Sequence, residues 1–168
     1  MFAAASRGGG APPTPPPRLF FFSLMAFRGT FDYSLDVKSR LTVPAKFRAA
    51  LAEGVVLAKG IDPCVELWPP KDFEARMDTA RAGRNPLARE TRRLSAFFSA
   101  NSNDAELDSA GRVGMPAKLA EHASLTKDVV VIGAGDHIQV WDRQAWDDFN
   151  ASLAGEVEQI TENLGHAD

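Results

Sequence analysis

An internal duplication limits this chain more than any other feature. Asp36-Val-Lys-Ser-Arg-Leu-Thr-Val-Pro-Ala-Lys-Phe47 aligns without a gap on Asp108-Ser-Ala-Gly-Arg-Val-Gly-Met-Pro-Ala-Lys-Leu119, 72 residues later. Asp, Arg and the Pro-Ala-Lys triplet are identical, and the apolar positions 41/113, 43/115 and 47/119 match in character. Upstream, Leu35 answers Leu107; downstream, Val55-Val-Leu57 answers Val129-Val-Val131 and Glu66-Leu-Trp68 answers Gln139-Val-Trp141. The offset drifts there by only one or two residues, which a loop absorbs. A repeat of this kind demands two copies of one supersecondary unit.

Each copy has a readable local structure. Phe27–Leu35 supplies a first strand, and Arg40–Val43, like Arg112–Met115, alternates in polarity as a half-buried strand does. Pro44 and Pro116 pre-set φ for a first helical turn without losing a hydrogen bond. Phe47, Ala50 and Leu51 then form the stripe of a short helix, as Leu119 and Ala123 do in the second copy. Two strands follow, Val55–Lys59 and Cys64–Trp68, or Val129–Gly133 and His137–Trp141, each pair joined by a Gly/Asp turn. The unit is β-β-α-β-β in roughly forty-five residues, too small to stabilise itself alone. Two copies packed face to face would share one core as a pseudo-dimer within the chain.

Helices connect and close the copies. Pro69-Pro70 opens a helix through Lys71–Met77, which Gly83 interrupts. Asn85 is a candidate N-cap with Pro86 at the first helical position; Leu87, Thr91, Leu94 and Phe98 follow at helical spacing. Asp142 opens a last helix with the stripe Phe149, Leu153, Val157, Ile160, Leu164 and an acidic outer face. That stripe either covers its own core or docks on a neighbouring subunit. The expected divisions are a Pro/Gly-rich extension over 1–24, a first repeat over 25–72, a helical connection over 73–98, a second repeat over 99–146, and a C-terminal helix and tail over 147–168. Pro12, Pro13, Pro15, Pro16 and Pro17 make the extension a segment expected to be disordered. Met25 stands immediately before the first strand, so a start there is an open alternative. The nine-residue, mainly apolar run Leu19–Phe27 is too short to span a bilayer.

Composition narrows the function. With 45% hydrophobic and 24% charged residues, the chain is an ordinary globular protein. One cysteine, Cys64, excludes an intrachain disulfide. His122, His137 and His166 lack ligand spacing, so no metal and no cofactor is expected. No Gly-rich phosphate loop, nucleophile elbow or paired-carboxylate constellation appears; no catalytic residue, enzymatic activity or small-molecule substrate is expected. The net charge of −3 argues against DNA binding by bulk electrostatics, so any such contact needs a local cluster of cations.

The turn before each second strand offers that cluster. Arg40 and Arg112 stand at the end of a tight turn, where a planar fork suits phosphate or guanine. Lys38 shares the first turn; Lys46 and Arg48, and Lys118 in the second copy, lie further along as weaker candidates. Asp36 and Asp108 would repel phosphate if free, and are assigned to shaping the turn and orienting the arginine. The competing reading is an Asp–Arg surface ion pair that merely pins the turn, worth roughly 0–1 kcal/mol. Spacing alone leaves the two readings level. Trp68 and Trp141 are assigned to the core, and Arg89, Arg92 and Arg93 to a solvated helix face.

The combination of both Asp-x-x-x-Arg motifs with Phe27-Arg-Gly29, Leu35-Asp36, Pro44-Ala-Lys-Phe-Arg48, Phe97-Phe98, Ile132-Gly133 and Val140-Trp141 resembles the MraZ family, within the AbrB/SpoVT swapped-hairpin superfamily. The resemblance runs from Met25 to about Phe149. It implies an α+β, mainly β fold in which two tandem AbrB/SpoVT-like units form an intrachain pseudo-dimeric barrel. It also implies a cytoplasmic, nucleoid-associated regulator that binds direct repeats of double-stranded DNA in the promoter of its own division and cell-wall operon, usually as a repressor. Subunits of that family close into rings, so the partners implied are DNA and further copies of the chain, with no membrane. Carried over by motif, the DNA-contacting residues are Lys38, Arg40 and Arg112. Two departures stand out: Ser39 replaces the family's usual Gly, which Gly111 retains, and Ala110 stands opposite Lys38. An interaction module of the same fold, such as an antitoxin-like partner, is the alternative.

Overall fold

A computed structural model of the chain describes residues 27–165; the extension over 1–24, Met25 and the last three residues lie outside that range. Strand-forming alternation in the first copy gives β1 (Phe27–Ser34), β2 (Arg40–Thr42), β3 (Val55–Lys59) and β4 (Val65–Trp68). The second copy gives β5 (Ser102–Ala105), β6 (Arg112–Gly114), β7 (Asp128–Gly135) and β8 (Ile138–Asp142). Helices α1 (Pro70–Arg81) and α2 (Arg89–Ala100) join the copies, α3 (Ala117–His122) lies within the second, and α4 (Arg143–Leu164) follows it. No helix among the described residues is long and apolar enough to cross a membrane.

The copies do not fold side by side; they exchange strands. The main sheet has the order β1-β7-β8-β4-β3-β5, antiparallel throughout. Strand β1 of the first copy pairs with β7 of the second, Phe31 opposite Val131. Reciprocally, β5 of the second copy pairs with β3 of the first, Val56 opposite Asp104. The approximate twofold axis therefore passes between β4 and β8, where Glu66 meets Gln139. A separate two-stranded ribbon, β2 with β6, takes one strand from each copy. Strands β1 and β5 are edges of the main sheet, so two packed sheets enclose the core instead of the closed ladder that a barrel would require.

One face of the main sheet and the inner face of the ribbon bury a single cluster. It includes Leu41, Val43, Phe47 and Leu51 from one copy and Val113, Met115, Leu119 and Ala123 from the other. Both copies contribute to every side of this core, so neither half can bury its apolar face without the other. On the opposite face of the sheet, Phe73 and Met77 of α1 pack on Val56, Ala58 and Trp68. Trp146 and Phe149 of α4 pack in the same way on Trp141. Trp68 and Trp141 are both fully buried, and each indole N–H donates two residues back along its own strand, to Glu66 and to Gln139. Gly133 is required where β1 crosses β7, since a Cβ there would lie 2.3 Å from the Arg28 nitrogen.

Two local expectations are corrected and one open choice is narrowed. The first copy's helix is a pair of 3-10 turns, Ala45–Phe47 and Ala49–Leu51; in so short a segment, burial of Phe47 and Leu51 outweighs helical cooperativity. Asn85 does not cap α2. Its side chain accepts from the Leu87 N–H and its carbonyl from Ala88, an Asx turn that delays the helix to Arg89. The apolar stripe of α4 covers its own core only at its start: Val157, Ile160 and Leu164 are exposed. Asp142 does cap α4, accepting from the Gln144 N–H, and it also accepts from the Thr126 hydroxyl.

Candidate nucleic-acid interface

The two Asp-x-x-x-Arg turns are built alike. In the first, Asp36 Oδ1 accepts from the backbone N–H groups of Lys38 and Arg40, each at 2.9 Å. Asp36 Oδ2 accepts from Arg40 Nε at 2.7 Å. In the second, Asp108 Oδ1 accepts from Ala110 and Arg112, each at 2.9 Å, and Oδ2 from Arg112 Nε at 2.8 Å. Backbone bonds close each turn, from Ser39 N–H to the Asp36 carbonyl and from Gly111 N–H to the Asp108 carbonyl. One carboxylate thus satisfies three donors and fixes the root of the arginine side chain. The Arg40 backbone N–H, ahead of every other contact, draws the Asp36 carboxyl below its ordinary range, and Arg112 does the same for Asp108. Both aspartates therefore stay ionised at neutral pH, paired with a cation and pointed away from the role of free repulsive charges.

The ribbon brings the arginines together. Leu41 and Val113 are cross-strand partners buried in the core. Alternation then puts Arg40 and Thr42, with Arg112 and Gly114, on the opposite face. Arg40 pairs with Gly114 and Thr42 with Arg112, so the arginines sit diagonally across a short ribbon. Arg40 Nη1 lies 4.0 Å from Asp108 Oδ2, a contact between copies. The arginine side chains are 30% and 35% exposed. With Nε engaged by the aspartate, the terminal nitrogens of Arg112 have no hydrogen-bond partner among the described residues. Beyond Gly114 a side chain would meet open space, which keeps the face beside Arg40 clear.

The remaining candidates separate. Lys38 is exposed at the tip of the first turn, beside fully exposed Val37, and its ammonium has no partner among the described residues. Ala110 occupies the same place in the second turn. Lys118 is exposed on α3. Lys46 is engaged from below, its ammonium 4.7 Å from the Phe31 ring and 5.1 Å from the Phe47 ring. Arg48 is half-buried and donates its Nε to the Val43 carbonyl at 2.9 Å. It is a structural contact between the first copy and the second turn more than a free cation. Thr42 was not singled out by the motif, although the alternation Arg40-Leu-Thr-Val43 already put it on the face of Arg40.

The other polar centres are internal. His137 is buried, stacks on Trp68 at 4.2 Å and donates its Nδ1–H to the Asp136 carboxylate. Burial pushes the Cys64 thiol up, with Glu66 and Asp62 adding to it, so this cysteine is an inert core residue. Among the described residues no group of three or more His, Cys, Asp or Glu is arranged to hold a metal ion.

Comparison with known proteins agrees with the duplication. The family profile described as "MraZ protein, putative antitoxin-like" matches twice, over residues 26–94 and 98–165. The Transcriptional regulator MraZ of Salinispora tropica is 40% identical over 139 residues, covering 82% of this chain and 96% of the relative. The protein of the same name from Heliobacterium modesticaldum is 36% identical with the same coverage. That of Mycoplasmoides gallisepticum is 35% identical over 138 residues, again 82% and 96%. Two profile matches, one on each copy of the turn, and relatives matched along nearly their whole length lead to one conclusion: this chain belongs to the MraZ family.

Proposed function

We propose that this protein is a sequence-specific, double-stranded DNA-binding regulator of transcription, with the outer face of the β2–β6 ribbon as its reading surface. The observation that carries the proposal is the pair of arginines fixed at their roots by Asp36 and Asp108 on one exposed face. A two-stranded ribbon fits the major groove of B-DNA, and an arginine fork presented there meets guanine O6 and N7 bidentately. Lys38, from the exposed tip, is placed for phosphate, and Lys118 and Lys46 are secondary. The relatives' shared name, Transcriptional regulator MraZ, supports the same reading.

A net charge of −3 gives one subunit little general affinity for DNA, so several subunits acting on repeated boxes suit this chain best. Surface chemistry favours such self-association. The α1–α2 corner carries Arg81, Arg84, Arg89, Arg92 and Arg93 around exposed Leu87, whereas α4 carries Asp147, Asp148, Glu156 and Glu158 beside exposed Val157, Ile160 and Leu164. Opposite charge and matching apolar surface on two different patches give a head-to-tail contact, which closes rings when the rotation permits. Direct repeats in the promoter of its own division and cell-wall operon are the targets we infer, with repression as the outcome and the nucleoid as the location. An antitoxin-like interaction module is the second reading, favoured by the profile's description and the uncovered α4 stripe.

A footprint on the DNA upstream of the gene tests the first reading. Regularly spaced protected boxes are expected, and loss of protection on Arg40→Ala with circular dichroism unchanged. Protection that survives that substitution at moderate salt would remove the ribbon from the function. Val157→Asp/Ile160→Asp is expected to reduce the mass measured by light scattering; an unchanged assembly would remove α4 from the contact.

A further inference from the structure

The duplication fails at one place that the motif does not include. Arg48 of the first copy corresponds to Ala120 of the second, and Gly111 of the second turn to Ser39 of the first. Reciprocal backbone bonds tie each turn to the other copy. The Val43 N–H donates to the Gly111 carbonyl at 2.9 Å, and reciprocally the Met115 N–H donates to the Ser39 carbonyl at 2.8 Å. Arg48 Nε donates to that same Val43 residue's carbonyl, and its side chain lies directly on Gly111. A Cβ on Gly111 would stand 2.3 Å from Arg48 Nε and 2.5 Å from Cζ. Gly111 is accordingly buried, whereas Ser39, whose counterpart across the copies is Ala120, is exposed.

Backbone conformation does not account for the difference. Both residues occupy the left-handed region, Gly111 at φ 73 and Ser39 at φ 54. The first turn shows that a serine is accommodated there, at a cost the surrounding hydrogen bonds sustain. What distinguishes the second turn is the guanidinium lying over it. We propose that Arg48 is a positioning residue for the second DNA-reading turn, acting from the opposite copy. In this pairing Arg48 goes with Gly111 and clamps, while Ala120 goes with Ser39 and does not. The second turn is held at its root by Asp108 and from above by Arg48; the first is held at its root by Asp36 and by the Met115 N–H on the Ser39 carbonyl, with no side chain clamped over it, and is freer to adjust to its DNA.

This inference rests on the DNA reading, and its test separates the two. In the full-length protein, Gly111→Ser is expected to push Arg48 off the Val43 carbonyl, so it and Arg48→Ala should each weaken retention of the upstream DNA several-fold. Because both break one contact, the double variant should lose no more than the worse single variant. Losses that multiply would overturn the pairing. Arg48→Lys keeps the charge but not the Nε donor, so it should behave like Arg48→Ala; full binding by Arg48→Lys would make Arg48 a phosphate contact instead. In an Arg112→Ala background, Arg48→Ala should cost nothing further and leave the salt slope unchanged, whereas a fall of about one unit would again assign it to phosphate. Thermal unfolding repeats the Arg48/Gly111 cycle without DNA. If the wild-type protein retains no DNA, the DNA reading fails while the melting cycle still decides the pairing: non-additive midpoints uphold it and additive ones overturn it. As a gain of contact, Ala120→Arg should raise the midpoint with Ser39→Gly present and not with Ser39 retained; equal effects in both backgrounds would count against the clamp.

Discussion

The two turns share one hydrogen-bond diagram and differ in almost everything that surrounds it. Each aspartate accepts from two backbone N–H groups and one Nε. The first turn adds an unpaired lysine at its tip, a serine at φ 54 and no cover; the second has alanine, a glycine at φ 73 and the Arg48 side chain across it. Scaffold and proposed reading surface are therefore separable. The aspartate builds the turn in both copies, while charge and rigidity are set independently by neighbours. The two platforms share a frame and are unequal in what they carry: the first has the extra cation, the second the side chain across it.

The strongest way to break this comparison is to remove the arginines in turn. Arg40→Ala is expected to cost about 10- to 100-fold in affinity for the upstream DNA, the range of one bidentate base contact. Arg112→Ala should cost less, since the second turn, with Ala110 in place of Lys38, carries the smaller share of the cationic surface. Equal losses, measured by fluorescence anisotropy at one salt concentration, would show that the turns act identically.

Next in size is the aspartate. Asp36→Asn keeps an acceptor for the backbone N–H groups but presents an amide N–H₂ to Arg40 Nε, so affinity should fall by less than with Arg40→Ala. The same carboxylates set a pH dependence. Their folded-state values lie below the ordinary 3.8, so their stabilisation is complete above that value and is lost as pH falls through the depressed one. Stability attributable to the turns should be flat from pH 5 to 8 and decline only in the acid limb. The double variant Asp36→Asn/Asp108→Asn should show a shallower acid limb in a thermal melt; an identical limb would mean that the turns do not contribute.

A smaller effect is expected from exchanging charge at the tips. Lys38→Ala should reduce the salt slope of binding by about 0.9 and Ala110→Lys increase it by the same amount. Opposite, matched changes would confirm that the tips meet phosphate; no change in either would remove them. Smallest of all, Ser39→Gly should stabilise the protein by at most about 1 kcal/mol, the left-handed strain offset in part by glycine's greater freedom when unfolded. A loss in thermal stability would show that the serine makes a contribution of its own.

Much of the site was legible from sequence because its chemistry is local. Asp36 and Arg40 are four residues apart, and so are the bonds that join them; a carboxylate ahead of an arginine at a turn has few other things to do. The contacts of Arg48 were not legible, for the opposite reason. Its partners, Val43 and Gly111, are five and sixty-three positions away, and the second is in the other copy. Only the break in the repeat at 48/120 hinted at it. The late start of α2 was missed for a further reason, that Asn85 satisfies its own turn as readily as a helix terminus.

The sequence by itself determined the duplication, the strand and turn order of each copy, the shaping role of the aspartates and the burial of Trp68 and Trp141. Each follows from periodicity or from hydrogen bonds between near neighbours. Tertiary structure alone decided that β1 joins β7 and β5 joins β3, that Arg40 and Arg112 share one ribbon face, that Arg48 covers the opposite turn, and that most of α4 remains uncovered. The reason is physical. Strands with the same alternation offer the same ladder to either copy, so their pairing is chosen by which arrangement buries both apolar faces in one core. That choice depends on the whole chain and leaves no mark in any short stretch of it.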